Sequence, residues 1–344
     1  MLDKLIGFFS NDMAIDLGTA NVIVSTRDRG IVIDEPSVVA IQKDKLGRQR
    51  ILAVGKEAKE MIGKTPENII AIRPMREGVI ADFDVTEKMI RYFIEKVHNR
   101  RAFIRPRIVV SVPFGLTQVE RKAVKESAMS AGAREVFLID EPMAAAIGAG
   151  LPVKEPQGNM VVNMGGGTTE IGVISLGGLV VSKSIRIAGD KMDVAIVDYV
   201  RKKYNLVIGE RVGEEIKINI GSAVKLPEEI STFVNGRDQI TGLLTTIELH
   251  SDEVREAIKD PLKEILEAVK SVLEQMPAEL AGDIVNNGIV LTGGGALLRG
   301  LDKYFSDALK IPVFVASEPL LAVARGTAKV LDEIDLLQQI AYDR

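Results

Sequence analysis

Two short segments of the sequence place a carboxylate or an amide two residues ahead of glycine, with threonine close behind. Residues 14–24 (AIDLGTANVIV) and residues 161–171 (VVNMGGGTTEI) agree in residue type at nearly every position. Each copy reads as a strand, a glycine turn and a second strand, so the turn presents backbone N–H groups and hydroxyls that bind phosphate without net positive charge. The duplication predicts two opposed turns that hold a polyphosphate from both sides.

Other interpretations exist for glycine turns. A single such turn is often plain turn chemistry. A dinucleotide-binding loop is excluded for the second copy, because it must open a helix and residues 169–174 (TEIGVI) continue with strand alternation. A third run, Gly293-Gly294-Gly295, precedes a helix predicted from about Ala296; alone it is a weak signal for an anion or base site, since glycine before a helix is common.

Two carboxylates follow buried strands and are candidates for chemistry. Asp16 beside phosphates would repel them unless a cation intervenes, so it is a candidate Mg²⁺ ligand, directly or through water. The alternative is a hydrogen bond to its own turn. Glu141 follows the strand predicted at 136–139 and would orient an attacking water. Asp140 or Glu141 could equally favour the N-terminus of the helix that begins with Pro142.

Composition excludes several classes of function. The chain has 344 residues, no Cys and 2 His, which excludes disulfides, cysteine-based zinc sites, thiol nucleophiles and most histidine-centred triads. The net charge is −4 and aromatic residues make up 4%, so we expect no nucleic-acid partner. Hydrophobic residues make up 46% of the chain, enough for two domains, and no apolar stretch is long enough to span a membrane.

The elements that must position these residues also fall into two α/β halves with a cleft between them. The first half has strand patterns at 30–42, 108–112 and 136–139, a capping box at Thr117 that opens a helix ending at Gly132, and a short helix from Pro142. The second has strand patterns at 178–187 and 289–292 and an amphipathic helix at 251–276, with a kink at Pro261. A polar stretch at 224–249 carries an Asn235-Gly236 turn signal.

Five segments closely resemble the MreB family of bacterial actins, over about residues 10–331. This resemblance implies the four-subdomain actin-like ATPase fold, with two duplicated ribonuclease H-like halves, Mg-ATP in the central cleft and filament assembly linked to the nucleotide. The segments are residues 15–21 (IDLGTAN), 72–82 (IRPMREGVIAD), 140–148 (DEPMAAAIG), 165–170 (GGGTTE) and 291–300 (LTGGGALLRG).

The resemblance also implies a division of the chain. Residues 1–9 form an amphipathic membrane-binding segment. The first half comprises 10–150 and 313–344, with a small insert at about 34–72. The second comprises 151–312, with a small insert at about 191–249.

Site residues follow from the resemblance by position. Thr19, Ala20 and Asn21 resemble the first phosphate loop, and Gly165, Gly166, Gly167 and Thr168 the second. Glu141 would hold the hydrolytic water. The ribose and adenine would lie between Glu214, Glu215, Ile216 and Lys217 on one side and Gly294, Gly295, Ala296 and Leu297 on the other. From the residues alone, 214–217 also fits an ordinary exposed helix surface.

The chain departs from the family at one position. The second phosphate motif usually begins with Asp, but here Asn163 stands opposite Asp16, so the cleft is one negative charge short. Asparagine keeps the shape and still accepts a hydrogen bond, so we expect ATP binding to survive and hydrolysis to slow about 10-fold. The alternative is a neutral change compensated elsewhere.

Two apolar segments suggest a membrane surface. Leu2, Leu5, Ile6 and Phe9 have helical spacing with Phe8 close by, typical of an interfacial helix or of a lead-in that docks on the body. Phe103-Ile104, bracketed by arginines, suits an anionic lipid surface or a packed loop. The resemblance places both on the inner face of the cytoplasmic membrane. It also implies paired protofilaments, with the helix from Thr117 as their contact, and cell-wall partners such as MreC, MreD and RodZ.

Two other functions use the same fold. A chaperone-type ATPase switch needs an appended substrate-binding domain, whereas this chain ends at Arg344, after a helical segment at 322–340. A small-molecule kinase needs a general base and a deep second pocket, and no spare carboxylate is evident beyond Glu141.

Overall fold

The computed structural model describes residues 12–43, 49–98 and 105–333, which form two compact units. The first unit contains the described residues up to Pro156, Ser175–Leu179 and the described residues from Leu321 onward. The second contains Gln157–Ile174 and Val180–Leu320. Residues 313–320 therefore belong to the second unit rather than to the first half as predicted, because strand Val313–Val315 pairs with Ile289–Thr292.

Strands form the sheets of both units. In chain order they are β1 (Met13–Leu17), β2 (Asn21–Thr26), β3 (Gly30–Pro36), β4 (Val39–Lys43), β5 (Gln49–Val54), β6 (Ile69–Ile72), β7 (Met75–Arg76), β8 (Val79–Ile80), β9 (Arg107–Val112), β10 (Glu135–Asp140), β11 (Asn159–Met164), β12 (Thr169–Ser175), β13 (Gly178–Ile185), β14 (Leu206–Val207), β15 (Ser231–Asp238), β16 (Leu244–His250), β17 (Ile289–Thr292) and β18 (Val313–Val315).

Helices connect and cover these strands, and short 3-10 helices form at Gly294–Leu297 and Pro319–Leu321. The α-helices are α1 (Lys56–Met61), α2 (Phe83–Val97), α3 (Gln118–Ala131), α4 (Glu141–Gly148), α5 (Gly189–Tyr204), α6 (Glu210–Ile220), α7 (Ser251–Ala257), α8 (Lys259–Gln275), α9 (Ala278–Asn287), α10 (Leu301–Leu309) and α11 (Ala322–Asp332). None of these described helices combines the length and the hydropathy that crossing a bilayer requires.

Each unit is built on a five-stranded sheet, and the two sheets have the same topology. The strand orders are β3-β2-β1-β9-β10 and β13-β12-β11-β17-β18. The predicted repeat forms the hairpins β1–β2 and β11–β12, both antiparallel, and parallel strands continue on the other side of β1 and β11. The predicted duplication is confirmed in strand order and in the direction of these pairs.

Helices bury their apolar faces on these sheets. In the first unit α2 begins at the N-cap Asp82, whose side chain accepts from the Val85 N–H at 3.0 Å, and buries Met89 and Phe93 against β1, β2 and β9. On α4 and α11 small residues allow the backbones to touch: a Cβ on Gly148 would lie 1.7 Å from the Ala322 carbonyl oxygen. In the second unit, α5 and α8 contribute to one core with β11 and β12.

Smaller sheets lie in the predicted inserts. Strands β5-β4-β6 form one, and β14-β15-β16 form the other. The strand predicted at 30–42 is two strands, because β3 ends at Pro36, which has no N–H to donate to a ladder. The strand predicted at 178–187 ends at Ile185.

The predicted turn at Asn235-Gly236 is wrong. Both residues pair within the β15–β16 ladder, opposite Thr246 and Thr245. Gly236 is needed there because β14 passes close by: a Cβ would lie 2.7 Å from the Leu206 Cγ. The hairpin instead turns after Asp238, whose carboxylate accepts from the N–H groups of Ile240 and Thr241.

The helix starts agree with prediction more closely than the helix lengths. Thr117 and Glu120 form the capping box of α3, and Pro142 lies in the first turn of α4. The helix predicted at 251–276 is two helices that meet at Ile258. Since Pro261 cannot donate a hydrogen bond, it is accommodated in the first turn of a new helix. The helix predicted from Ala296 is the 3-10 turn followed by α10, separated by Gly300 in the left-handed conformation.

Candidate functional site

Asp16 lies at the carboxyl end of β1 in the first unit, in parallel register with Ser111 of β9. The Ser111 hydroxyl donates to Asp16 Oδ1 at 2.8 Å. Burial raises the pKa of Asp16 to about 6, and the bond from Ser111 opposes that rise. This hydrogen bond of Asp16 therefore runs to the neighbouring strand rather than to its own turn, and it fixes the direction of the carboxylate.

The same arrangement recurs in the second unit. Asn163 lies at the corresponding position of β11, in parallel register with Thr292 of β17. The Thr292 hydroxyl donates to Asn163 Oδ1 at 3.1 Å, and both side chains are buried. The two sheets thus carry matching hydroxyl–oxygen pairs, one with a carboxylate and one with an amide.

The first glycine turn joins β1 to β2. A Cβ on Gly18 would lie 2.7 Å from the Asn21 carbonyl oxygen, so glycine is required for this tight turn. The Thr19 hydroxyl accepts from the Gly78 N–H at 3.2 Å and can still donate its own proton to a ligand. The carbonyl of Ala20 accepts from the Ser37 N–H, and the Asn21 side chain donates to Asp34 on β3.

The carboxyl ends of β1, β9 and β10 meet at one edge of the first sheet, because these strands are parallel and Asp16 and Ile139 are both paired with Ser111. Glu141 begins α4 at this edge and is 8% exposed. Asp140 instead forms an ion pair with Arg121 of α3 at 2.5 Å, and burial raises its pKa although Arg121 lowers it. Glu141 and Asp16 therefore lie at the same edge of the first sheet.

The second glycine turn is tied to the start of α5. The N–H of Gly165 donates across the turn to the Thr168 carbonyl at 2.9 Å. The carbonyl of Gly165 accepts from the Gly189 N–H at 3.2 Å, and that of Gly166 accepts from the Asp190 N–H at 2.8 Å. These bonds fix the turn against α5, with Gly167 and Thr168 buried.

The residues of 214–217, predicted to flank the ribose and adenine, have different environments. Lys217 forms an ion pair with Asp193, and Glu214 is half-buried on the same face of α6. Glu215 pairs with Arg211 on the helix surface at 3.0 Å, and Ile216 packs in the core. Glu214 and Lys217 therefore lie on one face of α6, and Ile216 lies on the face that packs in the core.

The run after β17 lies against the second glycine turn. A Cβ on Gly293 would lie 2.3 Å from the Met164 carbonyl oxygen, and one on Gly295 would lie 2.4 Å from Met164 Cγ. Ala296 is buried, whereas Leu297 exposes 56% of its surface. The backbone of Gly294–Leu297 is therefore held next to the residue that precedes Gly165.

A family model described as MreB/Mbl protein matches residues 10–339 of the chain. The chain belongs to the MreB/Mbl family. The cell shape-determining protein MreB of Escherichia coli (strain K12) is 56% identical over 339 residues, covering 98% of this chain and 97% of the relative. The cell shape-determining protein Mbl of Bacillus subtilis (strain 168) is 48% identical over 329 residues, covering 96% and 98%.

Solved structures agree with this membership. The crystal structure of MreB5 of Spiroplasma citri bound to ADP has a TM-score of 0.89 and 37% identity, covering 96% of this chain and 98% of that one. A MamK double helical filament has a TM-score of 0.80 at 20% identity, covering 94% and 99%, and shows the fold alone. The fold is the actin-like ATPase fold, as the resemblance implied.

The predicted residues of this MreB/Mbl chain are divided between the two units. Asp16, Thr19, Ala20, Asn21 and Glu141 belong to the first. The second holds Asn163, Gly165–Thr168, Glu214–Lys217 and Gly294–Leu297. Residues 1–9, Phe103 and Ile104, predicted as membrane contacts, lie outside the described residues.

Several residues that shape the site were not predicted: Ser111, Thr292, Gly78, Gly189 and Asp193. For two of them the sequence contains a pattern that could have indicated a role. Ser111 and Thr292 are the single hydroxyl residues of β9 and β17, each buried and near the carboxyl end of its strand, a pattern that indicates a specific hydrogen bond. The other three act through contacts between segments distant in sequence, such as that of Gly78 with Thr19.

Proposed function

We propose that this chain is an ATP-dependent, filament-forming bacterial actin that determines cell shape. The observation that carries the proposal is the matched pair of glycine turns, each preceded by a strand-end side chain oriented by a hydroxyl of the neighbouring parallel strand. Membership of the MreB/Mbl family supports it, since relatives are named for determining cell shape and MreB5 binds ADP.

In this proposal the two turns hold the phosphates. Thr19 donates its hydroxyl proton, and the turn offers the backbone N–H groups of Gly166–Thr168 and the Thr168 hydroxyl. The ribose and adenine lie between α6, through Glu214 and Lys217, and the backbone of Gly294–Leu297. Leu297 supplies exposed apolar surface for the base.

The carboxylate of Asp16 fits a magnesium ion. Asp16 offers carboxylate oxygens whose direction Ser111 fixes, and Mg²⁺ typically takes one or two carboxylates together with substrate phosphates and water. Within the described ranges no group of three or more His, Cys, Asp or Glu could hold a metal alone, which agrees with a site completed by the nucleotide. When bound, Mg²⁺ neutralises phosphate charge.

Hydrolysis then depends on the chain's own side chains. Glu141, fixed at the start of α4, orients the water for attack on the terminal phosphate. Asp16 and Asn163 accept hydrogen bonds from water near the phosphates, the first as a charged acceptor and the second as a neutral one. Turnover is therefore slow in this proposal.

The proposal extends to assembly and location by family resemblance. The chain forms paired protofilaments with copies of itself and binds the inner face of the cytoplasmic membrane through residues 1–9, Phe103 and Ile104. There it scaffolds peptidoglycan synthesis with proteins such as MreC, MreD and RodZ.

Sedimentation with and without Mg-ATP, followed by negative-stain microscopy of the pellet, tests the proposal. Filaments that form only with nucleotide support it. Stimulation of ATP hydrolysis by unfolded peptides would instead indicate a chaperone-type switch. ADP release that depends on an added sugar or acid would indicate a kinase. Either result without filaments would contradict the proposal.

A further inference from the structure

An ion pair joins α5 and α6 beside the second glycine turn. The ammonium of Lys217 on α6 lies 2.7 Å from Asp193 Oδ1 on α5, and it donates to the Gly189 carbonyl at 3.0 Å. Gly189 in turn donates its N–H to the Gly165 carbonyl at 3.2 Å. A continuous series of contacts therefore connects α6 with the turn at Gly165.

Glycines bring these groups into contact. A Cβ on Gly213 of α6 would lie 2.8 Å from the Asp193 carbonyl oxygen, so α6 lies against α5 at backbone distance. A Cβ on Gly189 would lie 3.1 Å from Lys217 Nζ and 3.3 Å from the Gly165 carbonyl oxygen. The side chains of Lys217 and Asp193 are 17% and 9% exposed, so the pair is enclosed between the helices.

We infer that Asp193 is a positioning residue of the nucleotide site and acts through Lys217. Its carboxylate holds the ammonium against the first turn of α5, so that α6 and the turn at Gly165 keep one arrangement. The inference rests on the proposed function, in which α6 contacts the ribose and adenine and the turn contacts phosphate. Lys217, which borders the ribose and adenine in that proposal, is held in place by Asp193 and by the Gly189 carbonyl.

The pH dependence of nucleotide affinity distinguishes this role of Asp193 from a general effect on folding, because protonation changes affinity and stability in opposite directions. Burial raises the pKa of Asp193 to about 6; Lys217 opposes the rise, and Asp190 and Glu214, the other charges that face it, add to it. Because the folded pKa is above the unfolded value of 3.8, proton uptake as the pH falls through 6 favours the folded state. The same protonation removes the charge that holds Lys217. The contribution of this group to stability therefore rises in acid while nucleotide affinity falls.

The test is calorimetric titration of the full chain with ADP in EDTA, between pH 5 and pH 8. We expect Asp193→Asn to bind ADP about tenfold more weakly at pH 7.5, since one charge-assisted contact is lost. The ratio of affinities should approach one at pH 5, where the wild-type carboxyl is itself protonated. In a Lys217→Met background, Asp193→Asn should have no further effect on affinity.

The matched control is the ion pair at the other end of α5. Lys203 Nζ lies 2.6 Å from Glu253 Oε1, and the Glu253 side chain is also 9% exposed. Glu253→Gln should leave ADP affinity unchanged at every pH, because this pair lies away from the turn.

Three results would overturn the inference alone: wild-type affinity in Asp193→Asn at pH 7.5, an equal loss in Glu253→Gln, or a full further loss in the Lys217→Met background. If the unaltered chain binds no ADP, the proposed function is wrong, and the inference that rests on it is wrong as well. The two failures are therefore distinguishable in one series of titrations.

Discussion

Asp16 and Asn163 hold equivalent positions in two sheets of the same topology and differ by one charge. Each accepts a hydrogen bond from a hydroxyl on the neighbouring parallel strand. An aspartate at 163 would still accept the bond from Thr292, because a carboxylate oxygen replaces the amide oxygen without a change of shape. The substitution Asn163→Asp therefore adds a charge and keeps the hydrogen bond from Thr292.

We expect Asn163→Asp to release phosphate about 10-fold faster than the unaltered chain at saturating Mg-ATP. A charged acceptor holds a metal-bound water more strongly than a neutral one by about 1 to 2 kcal/mol, and that difference in the activated complex corresponds to about a tenfold rate. Filaments of the unaltered chain should correspondingly persist longer after ATP is exhausted. Phosphate release and light scattering measure the two effects.

The mirror variant Asp16→Asn is the matched control and should slow phosphate release further. The melting temperature of each variant shows whether the new group disturbs folding, since Asn163 is buried. Equal rates for the unaltered chain and Asn163→Asp would show that the asparagine is a neutral change.

A site residue can be predicted from the sequence when its role depends on residues close to it in the chain. The glycine turns and Asp16 were predictable because their spacing repeats along the chain. Asp193 was not, since its role depends on Lys217, which another helix brings to it. Ile216 shows the converse: the family resemblance implied a site contact, but helical geometry turns its side chain into the core.

Among the elements, α3 combines a capped N-terminus with an exposed apolar side chain. Its capping box fixes the first turn, and Val119 in that turn is 78% exposed. A concavity of about 580 Å³ adjoins it, lined in part by Phe114, Arg121 and Lys125. A single exposed apolar residue is common on protein surfaces, so the role of α3 as the contact between protofilaments rests on the family resemblance.

We expect Val119→Glu to abolish paired protofilaments and to leave ADP affinity unchanged, because a charge would be buried at the contact while the nucleotide residues are untouched. Negative-stain microscopy of Mg-ATP pellets distinguishes single from paired filaments. Val285→Glu on α9 is the control, since Val285 is also an exposed helical valine, at 54%. Paired filaments that persist in Val119→Glu would contradict the role of α3.

Helices and strands were predictable where neighbouring residues determine them, and less so where a segment distant in sequence does. The capping box of α3 and the first-turn proline of α4 needed only neighbouring residues. The Asn235-Gly236 pair looked like a turn, yet its position in a ladder is set by β14, more than 25 residues earlier in sequence. The break at Ile258 was signalled by Pro261, but whether a proline bends a helix or divides it depends on tertiary packing.

For the whole molecule, we expect removal of residues 1–9 to abolish co-sedimentation with anionic liposomes and to leave assembly in solution intact. Burial of several apolar side chains at the headgroup boundary contributes on the order of several kcal/mol per subunit, and a polymer multiplies that affinity. Filaments should therefore bind and monomers should bind weakly. Undiminished binding by the shortened chain would assign the membrane contact elsewhere.

In the proposed function, one nucleotide is held by both glycine turns. Calorimetric titration of the unaltered chain with ADP, compared with Thr19→Val and Thr168→Val, tests it most directly. We predict one ADP per chain, with affinity reduced about tenfold by each variant, since each removes a hydroxyl from the same ligand. A stoichiometry of two, or undiminished affinity in either variant, would contradict the claim.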